Sequence, residues 1–282
     1  VHATLMTLKD FFRWLSQKPG YKSKIDPLEI GYFNLSERET RIAKAPTIRD
    51  VPTMEQVRKT LFGIEVKSEI DGRNQALIAF ILLTGARVNA VASARLKHVD
   101  LDRKRFIQKP DQVRTKFSKQ IVTFFFPVGA DIEKIFFDWV SYLRQEKLYG
   151  DNAPLFPRMS IKPDADGNFT IAGLESEPWD TAAPIRKIFK DAFNKVGLPY
   201  FNPHLIRKTL VQFGQRVCKT PEEFKAWSQN LGHEDVGTTF TSYGQVSLER
   251  QGEIITNATL PSAAPPDGDV LNKIRQLIEQ GR

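Results

Sequence analysis

Eight consecutive apolar residues, Ala76 to Leu83, form the longest uncharged apolar run of the chain. A bilayer span takes about 20 such residues, so the run predicts no membrane span and reads as the centre of a strongly apolar helix over residues 72–84. A hydrophobic share of 41% agrees with a globular chain. Its 282 residues suffice for one large core or two modest ones. The first ten residues show no basic segment followed by an apolar core, so no secretory signal is read; they also lack an initiator Met, which points to a fragment. The single cysteine, Cys218, cannot close an internal disulfide and fits a reducing cytoplasm as a buried small side chain.

Helical spacing of Leu5, Leu8, Phe12 and Leu15 predicts an amphipathic helix over residues 4–17, ending before Pro19-Gly20. Residues 18–50, polar and containing Pro27 and Pro46, read as a linker holding at most a short element, with a domain boundary near residue 45. Thr53 with Gln56 three residues on forms a capping box, and a helix follows to about Phe62. After the apolar helix, Gly85-Ala86-Arg87-Val88-Asn89-Ala90-Val91 turns into another short helix with Arg87 near its start. The pattern then becomes β: Arg105 to Gln108, Gln112 to Lys116, and Lys119 to Phe126, with Lys116-Phe117-Ser118-Lys119 as a hairpin turn.

A long helix is expected over residues 130–148, its inner face carrying Ile132, Ile135, Phe136, Trp139 and Leu143. Residues 156–178 read as a loop. Within it Asp164, Asp166, Asn168 and Glu175 imitate a calcium loop, but Phe169 stands where glycine is needed, and an ordinary Asp/Gly turn is the better reading. Pro184 opens a helix over residues 184–196 with Arg186, Lys187 and Lys190 on an outer basic face that suits a DNA backbone. The helix from His204 runs to about Val217, and Thr220-Pro221-Glu222-Glu223 opens another that ends near Asn230. A flexible stretch, 259–268, precedes a last amphipathic helix, Val270 to Glu279, tethered loosely enough to dock on a neighbouring subunit. The fold class is mainly α with a small antiparallel β-sheet (α+β).

The chemistry concentrates between Asn202 and Gly244. His204 and Arg207, three apart on a helix, leave the same face and can converge on one small anion, and arginine offers a rigid fork of donors matched to phosphate oxygens. His233 and Tyr243 add a proton-transfer group and an oxygen nucleophile. A net charge of +8 favours a polyanionic partner. The Walker A, Gly-x-Gly-x-x-Gly, Gly-x-Ser-x-Gly and His-Glu-x-x-His patterns are all missing, which removes the commonest nucleotide, hydrolase and zinc classes.

Taken in order, Arg87, Lys116, His204, Arg207, His233 and Tyr243 resemble the active-site set of the tyrosine recombinases, the phage integrase family. The match covers roughly residues 51–246 and is strongest at Thr84-Gly-Ala-Arg87, His204-Leu-Ile-Arg207 and Leu-Gly-His233 with Tyr243. Ala90 departs from it, standing where the family often has Glu. The resemblance implies residues 1–45 as the tail of a helical core-binding domain, 46–256 as the catalytic domain, and 257–282 as a linker with a C-terminal helix. It implies cleavage and rejoining of double-stranded DNA by Tyr243 without metal or other cofactor. Arg87 and Arg207 clamp the phosphate, Lys116 or Lys119 is the general acid, His204 handles protons, and His233 donates a hydrogen bond. A homo-tetramer on DNA in a prokaryotic or phage-like setting follows, cytoplasmic and nucleoid-associated, with room for accessory DNA-bending proteins. A non-catalytic DNA-binding relative and a type IB topoisomerase-like enzyme are the alternatives.

Overall fold

The computed structural model describes residues 2–44, 50–115, 120–163 and 167–232. Contacts divide the chain into two units, Val1–Asp50 and Val51–Arg282.

In the first unit, α1 (His2–Leu15) carries the expected apolar stripe, and Phe12 stacks on Phe33 with ring centroids 5.2 Å apart. Phe33 ends a single 3-10 turn, Glu29–Phe33, that folds back on the helix. No residue of α1 is buried, and Phe11 and Trp14 stand about half exposed at 49% and 52%. Residues 18–50, expected to hold at most a short element, hold two: the 3-10 turn and α2 (Glu37–Lys44). Its start is a capping box: Ser36 Oγ accepts from the Glu39 N–H while the Glu39 carboxylate accepts from the Ser36 N–H.

In the second unit, Thr53 and Gln56 cap α3 (Met54–Phe62) reciprocally. Ser68 caps α4 (Glu69–Thr84), which begins three residues before the predicted helix. From Ala76 to Thr84 every residue of α4 is buried, because α3 on one side and α6 (Ala130–Gln145) on another leave no solvent face. The aromatic centre is Phe80, whose ring meets Phe106 at 5.0 Å, Phe136 at 4.7 Å and Phe156 at 5.6 Å. Such pairs contribute about 0.5–1.5 kcal/mol each beyond the area they bury. After the short α5 (Val88–Ala92), strands β1 (Val99–Asp100), β2 (Arg105–Gln108) and β3 (Ile121–Phe124) form an antiparallel sheet in that order, Phe106 facing Thr123.

Two expectations for this unit need correction. Gln112 to Thr115 is not a strand: the Gln112 and Val113 N–H groups bond back to the Lys109 carbonyl, turning the chain away from β2. The presumed loop of residues 156–178 contains a β-hairpin, β4 (Met159–Pro163) with β5 (Phe169–Leu174). Most of its side chains are exposed, so it shows no alternation, and it is held from outside by the Glu69 carboxylate, which accepts from the Leu174 N–H at 2.8 Å. Helices α7 (Ala183–Lys195), α8 (His204–Val217) and α9 (Pro221–Asn230) complete a mainly α architecture with two small antiparallel sheets. Among the described residues no helix is long and apolar enough to cross a membrane.

Candidate active site

The last turn of α4 positions the first arginine. Gly85 adopts a left-handed φ of 57°, and its N–H caps the Ile81 carbonyl at 2.8 Å. A Cβ there would also lie 2.6 Å from Leu231 Cδ2, so both conformation and packing demand glycine. The reversal makes Arg87 the residue that opens α5. Its guanidinium is half-buried, and burial holds its pKa below the ordinary arginine value. Among the described residues no hydrogen bond or ion pair is made by this side chain.

The second arginine comes from α8. Asn202 Oδ1 accepts from the His204 N–H at 3.0 Å, so an Asx turn starts the helix and leaves the exposed His204 side chain at its mouth. One turn on, Arg207 is only 6% exposed. Its two terminal nitrogens donate to the carbonyls of Gly85 and Leu231, which ties the end of α4 to the end of α9. A second tie runs from α9 to the sheet: Asn230 accepts from the Phe124 N–H at 2.7 Å and donates to the Phe124 carbonyl at 2.9 Å, as a neighbouring strand would.

Arg87, His204 and Arg207 meet at a cleft of about 330 Å³. Two residues unclaimed by the sequence reading, Arg114 and Thr115, complete its polar wall, and no carboxylate is among its described lining residues. No spacing in the sequence announces Arg114: its segment reads as a strand, and it is the turn after β2 that carries it to the cleft. A larger groove of about 550 Å³ beside α4 and α6 is lined by Val66, Ile135 and Trp139 with Lys67, Glu69 and Asp138, and it gathers none of the candidate site residues. Lys116, Lys119, His233 and Tyr243 lie outside the described residues.

A scan against protein-family models finds no match, and neither does a search of curated proteins. Solved structures do match. A lambda integrase (75–356) dimer bound to a COC′ core site aligns over 86% of this chain and 75% of its own at 16% identity, with a TM-score of 0.55. The XerA recombinase aligns over 91% and 84% at 15% identity and a TM-score of 0.52. The Tn1549 transposon integrase, in complex with circular intermediate DNA, aligns over 90% and 78% at 16% identity and a TM-score of 0.52. The chain has the tyrosine recombinase fold. At these identities the fold is what is shared, and within it the cleft described above is where Arg87, His204 and Arg207 converge.

Proposed function

We propose that this protein is a site-specific DNA recombinase of integrase type, cutting and rejoining strands through a 3′-phosphotyrosyl intermediate. The observation that carries the reading is Arg87: a half-buried cation with no partner among the described residues, facing a cleft that holds Arg207 and His204 and no described carboxylate. A cation partly withdrawn from water, with no carboxylate beside it, favours an anionic partner. A backbone phosphodiester is such a partner, and the matched integrases are DNA complexes by their own descriptions.

In the proposed step the Tyr243 phenol oxygen attacks the phosphorus, the P–O5′ bond breaks, and a 3′-phosphotyrosyl bond replaces it. The phenol proton passes to His204 or solvent, and O5′ leaves as a hydroxyl with a proton from Lys116 or Lys119. One phosphoester is exchanged for another, so rejoining needs no external energy. Arg87 and Arg207 meet the charge that builds on the non-bridging oxygens as phosphorus becomes five-coordinate, and His233 adds one donor. Each such donor is worth about 10² to 10³ in rate. Two guanidinium ions thereby supply the positive charge that a metal ion supplies in other phosphoryl transfers, and assembly on DNA as a tetramer accompanies the reading.

The test is a library of nicked duplexes with a randomised core, incubated with the chain and searched for covalent adducts. Wild-type protein is expected to trap a subset of sequences, with equal yield in EDTA, and Tyr243→Phe to trap none. An adduct on the phenylalanine variant refutes the nucleophile assignment. Duplexes with a 5′-bridging sulfur then identify the acid, since only loss of the true acid, Lys116 or Lys119, is rescued by a leaving group that needs no proton.

A further inference from the structure

We propose that Arg114 contacts the scissile phosphate as a third guanidinium of the cleft, an assignment that rests on the strand-transfer reading above. Arg114 reaches the cleft from a different element than Arg87 and Arg207: the segment that follows β2. Its backbone there is fixed. The Arg114 N–H donates to Ser93 Oγ at 2.9 Å, the preceding Val113 is buried at 2% exposure, and the Thr115 N–H closes a tight turn on the Val113 carbonyl at 2.7 Å.

The guanidinium is oriented without being neutralised. Its terminal nitrogens donate to the backbone carbonyls of Trp179 and Asp180, both neutral groups. The Asp180 carboxylate turns elsewhere, to Arg158 at 3.9 Å, and among the described residues no carboxylate pairs with Arg114. Hydrogen bonds to carbonyls fix the plane of an arginine while leaving its full charge for a further partner. Next to it, Thr115 lines the same cleft, and its Oγ1 is buried with no hydrogen-bond partner among the described residues. Orphaned buried hydroxyls are uncommon and ask for a missing acceptor or donor.

Three arginines around one small cleft exceed what a ground-state diester, with a single negative charge, requires. The five-coordinate transition state concentrates more charge on its oxygens, so the third cation favours the transition state over the bound substrate. Arg114 is therefore expected to act on the rate of strand cleavage and little on DNA affinity.

The experiment uses the duplex that wild-type protein traps from the randomised library, made in two forms: one with the ordinary scissile phosphate and one with a methylphosphonate there, which carries no charge. Adduct formation is followed in single turnover for wild-type, Arg114→Ala and Arg114→Gln. The glutamine keeps an N–H for the Trp179 carbonyl and lacks the charge. On phosphate DNA both variants are expected to slow cleavage by about a hundredfold to a thousandfold, with binding by fluorescence anisotropy within about threefold of wild-type. On methylphosphonate DNA the gap is expected to close to less than about tenfold, since the charge that Arg114 compensates is gone. Cleavage of phosphate DNA at the wild-type rate, or a defect equally large on methylphosphonate DNA, overturns the assignment, the latter by showing that Arg114 acts only by bracing its loop. If wild-type protein traps no duplex at all, the strand-transfer reading fails first and this assignment falls with it.

Discussion

Arg207 shows how one side chain serves folding and chemistry together. Its fork holds the carbonyls of Gly85 and Leu231, which end two different helices, and the same guanidinium lines the cleft. A lysine keeps the charge but has one compact ammonium on a flexible stem, so it cannot hold both carbonyls in fixed geometry. Arg207→Lys is expected to lower stability by about 1–3 kcal/mol, the cost of one unsatisfied buried acceptor, and to shift the thermal midpoint by several degrees. An unchanged midpoint in calorimetry rejects the structural half of this account. His98 makes a pH-dependent case. Its Nδ1 accepts from the Arg95 N–H at 2.9 Å, so the ring is neutral with its proton on Nε2, which donates to Gln112 at 3.2 Å. Burial lowers its pKa first, against the pull of the Gln112 bond, and the charges of Lys97, Arg95 and Lys109 lower it further. The unfolded chain therefore takes up this proton more readily than the folded one. Stability is present above about pH 6.5 and falls as pH drops through the unfolded value toward the lower folded one. His98→Asn keeps an acceptor for Arg95 and takes no proton. Urea midpoints at about pH 7 and about pH 5.5 are expected to differ less in this variant than in wild-type protein.

Among the elements, α9 and β3 are joined by a single side chain. Asn230 pairs with both backbone groups of Phe124, and the next residue, Leu231, presents the carbonyl that holds Arg207. Asn230→Ala removes two hydrogen bonds at about 1 kcal/mol each and loosens the anchor of a cleft arginine. Stability is expected to fall by about 2 kcal/mol and single-turnover cleavage to slow, while DNA affinity holds. A fall in affinity with no change in cleavage rate goes against the role given to this tie. The same elements show what the sequence discloses. The caps at Thr53 and Thr220 are legible because a hydroxyl and an amide or carboxylate three residues on suffice to satisfy a helix start. Ser36 and Glu39 spell the same pattern, yet α2 behind them lacks a continuous apolar stripe, so the start reads as linker. The β4–β5 hairpin is illegible for another reason: its anchor, Glu69, lies 105 residues before Leu174. In the site, three-residue spacing announces His204 and Arg207, and the turn after the apolar helix announces Arg87. Arg114 stays hidden because only the turn after β2 brings its segment to the cleft.

At the scale of the molecule, stability and DNA affinity are expected to separate between the two units. The buried cluster around Phe80 runs from Val57 to Leu231 and is drawn wholly from the second unit. The first unit places apolar side chains such as Phe11 and Trp14 in solvent and carries nine Lys and Arg against six Asp and Glu. A chain that begins at Val51 is therefore expected to unfold cooperatively with a thermal midpoint within about 2 °C of the full chain, a shift worth under about 1 kcal/mol at this size. Its binding to duplex DNA is expected to weaken and to depend less steeply on salt, because each phosphate contact contributes about 0.9 to the slope of log affinity against log salt. Measuring affinity for one duplex at several salt concentrations, with and without residues 1–50, yields that slope for each chain. If the two slopes coincide, the first unit makes no phosphate contacts; if the midpoint instead drops by many degrees, the cluster around Phe80 does not account for the stability of the second unit.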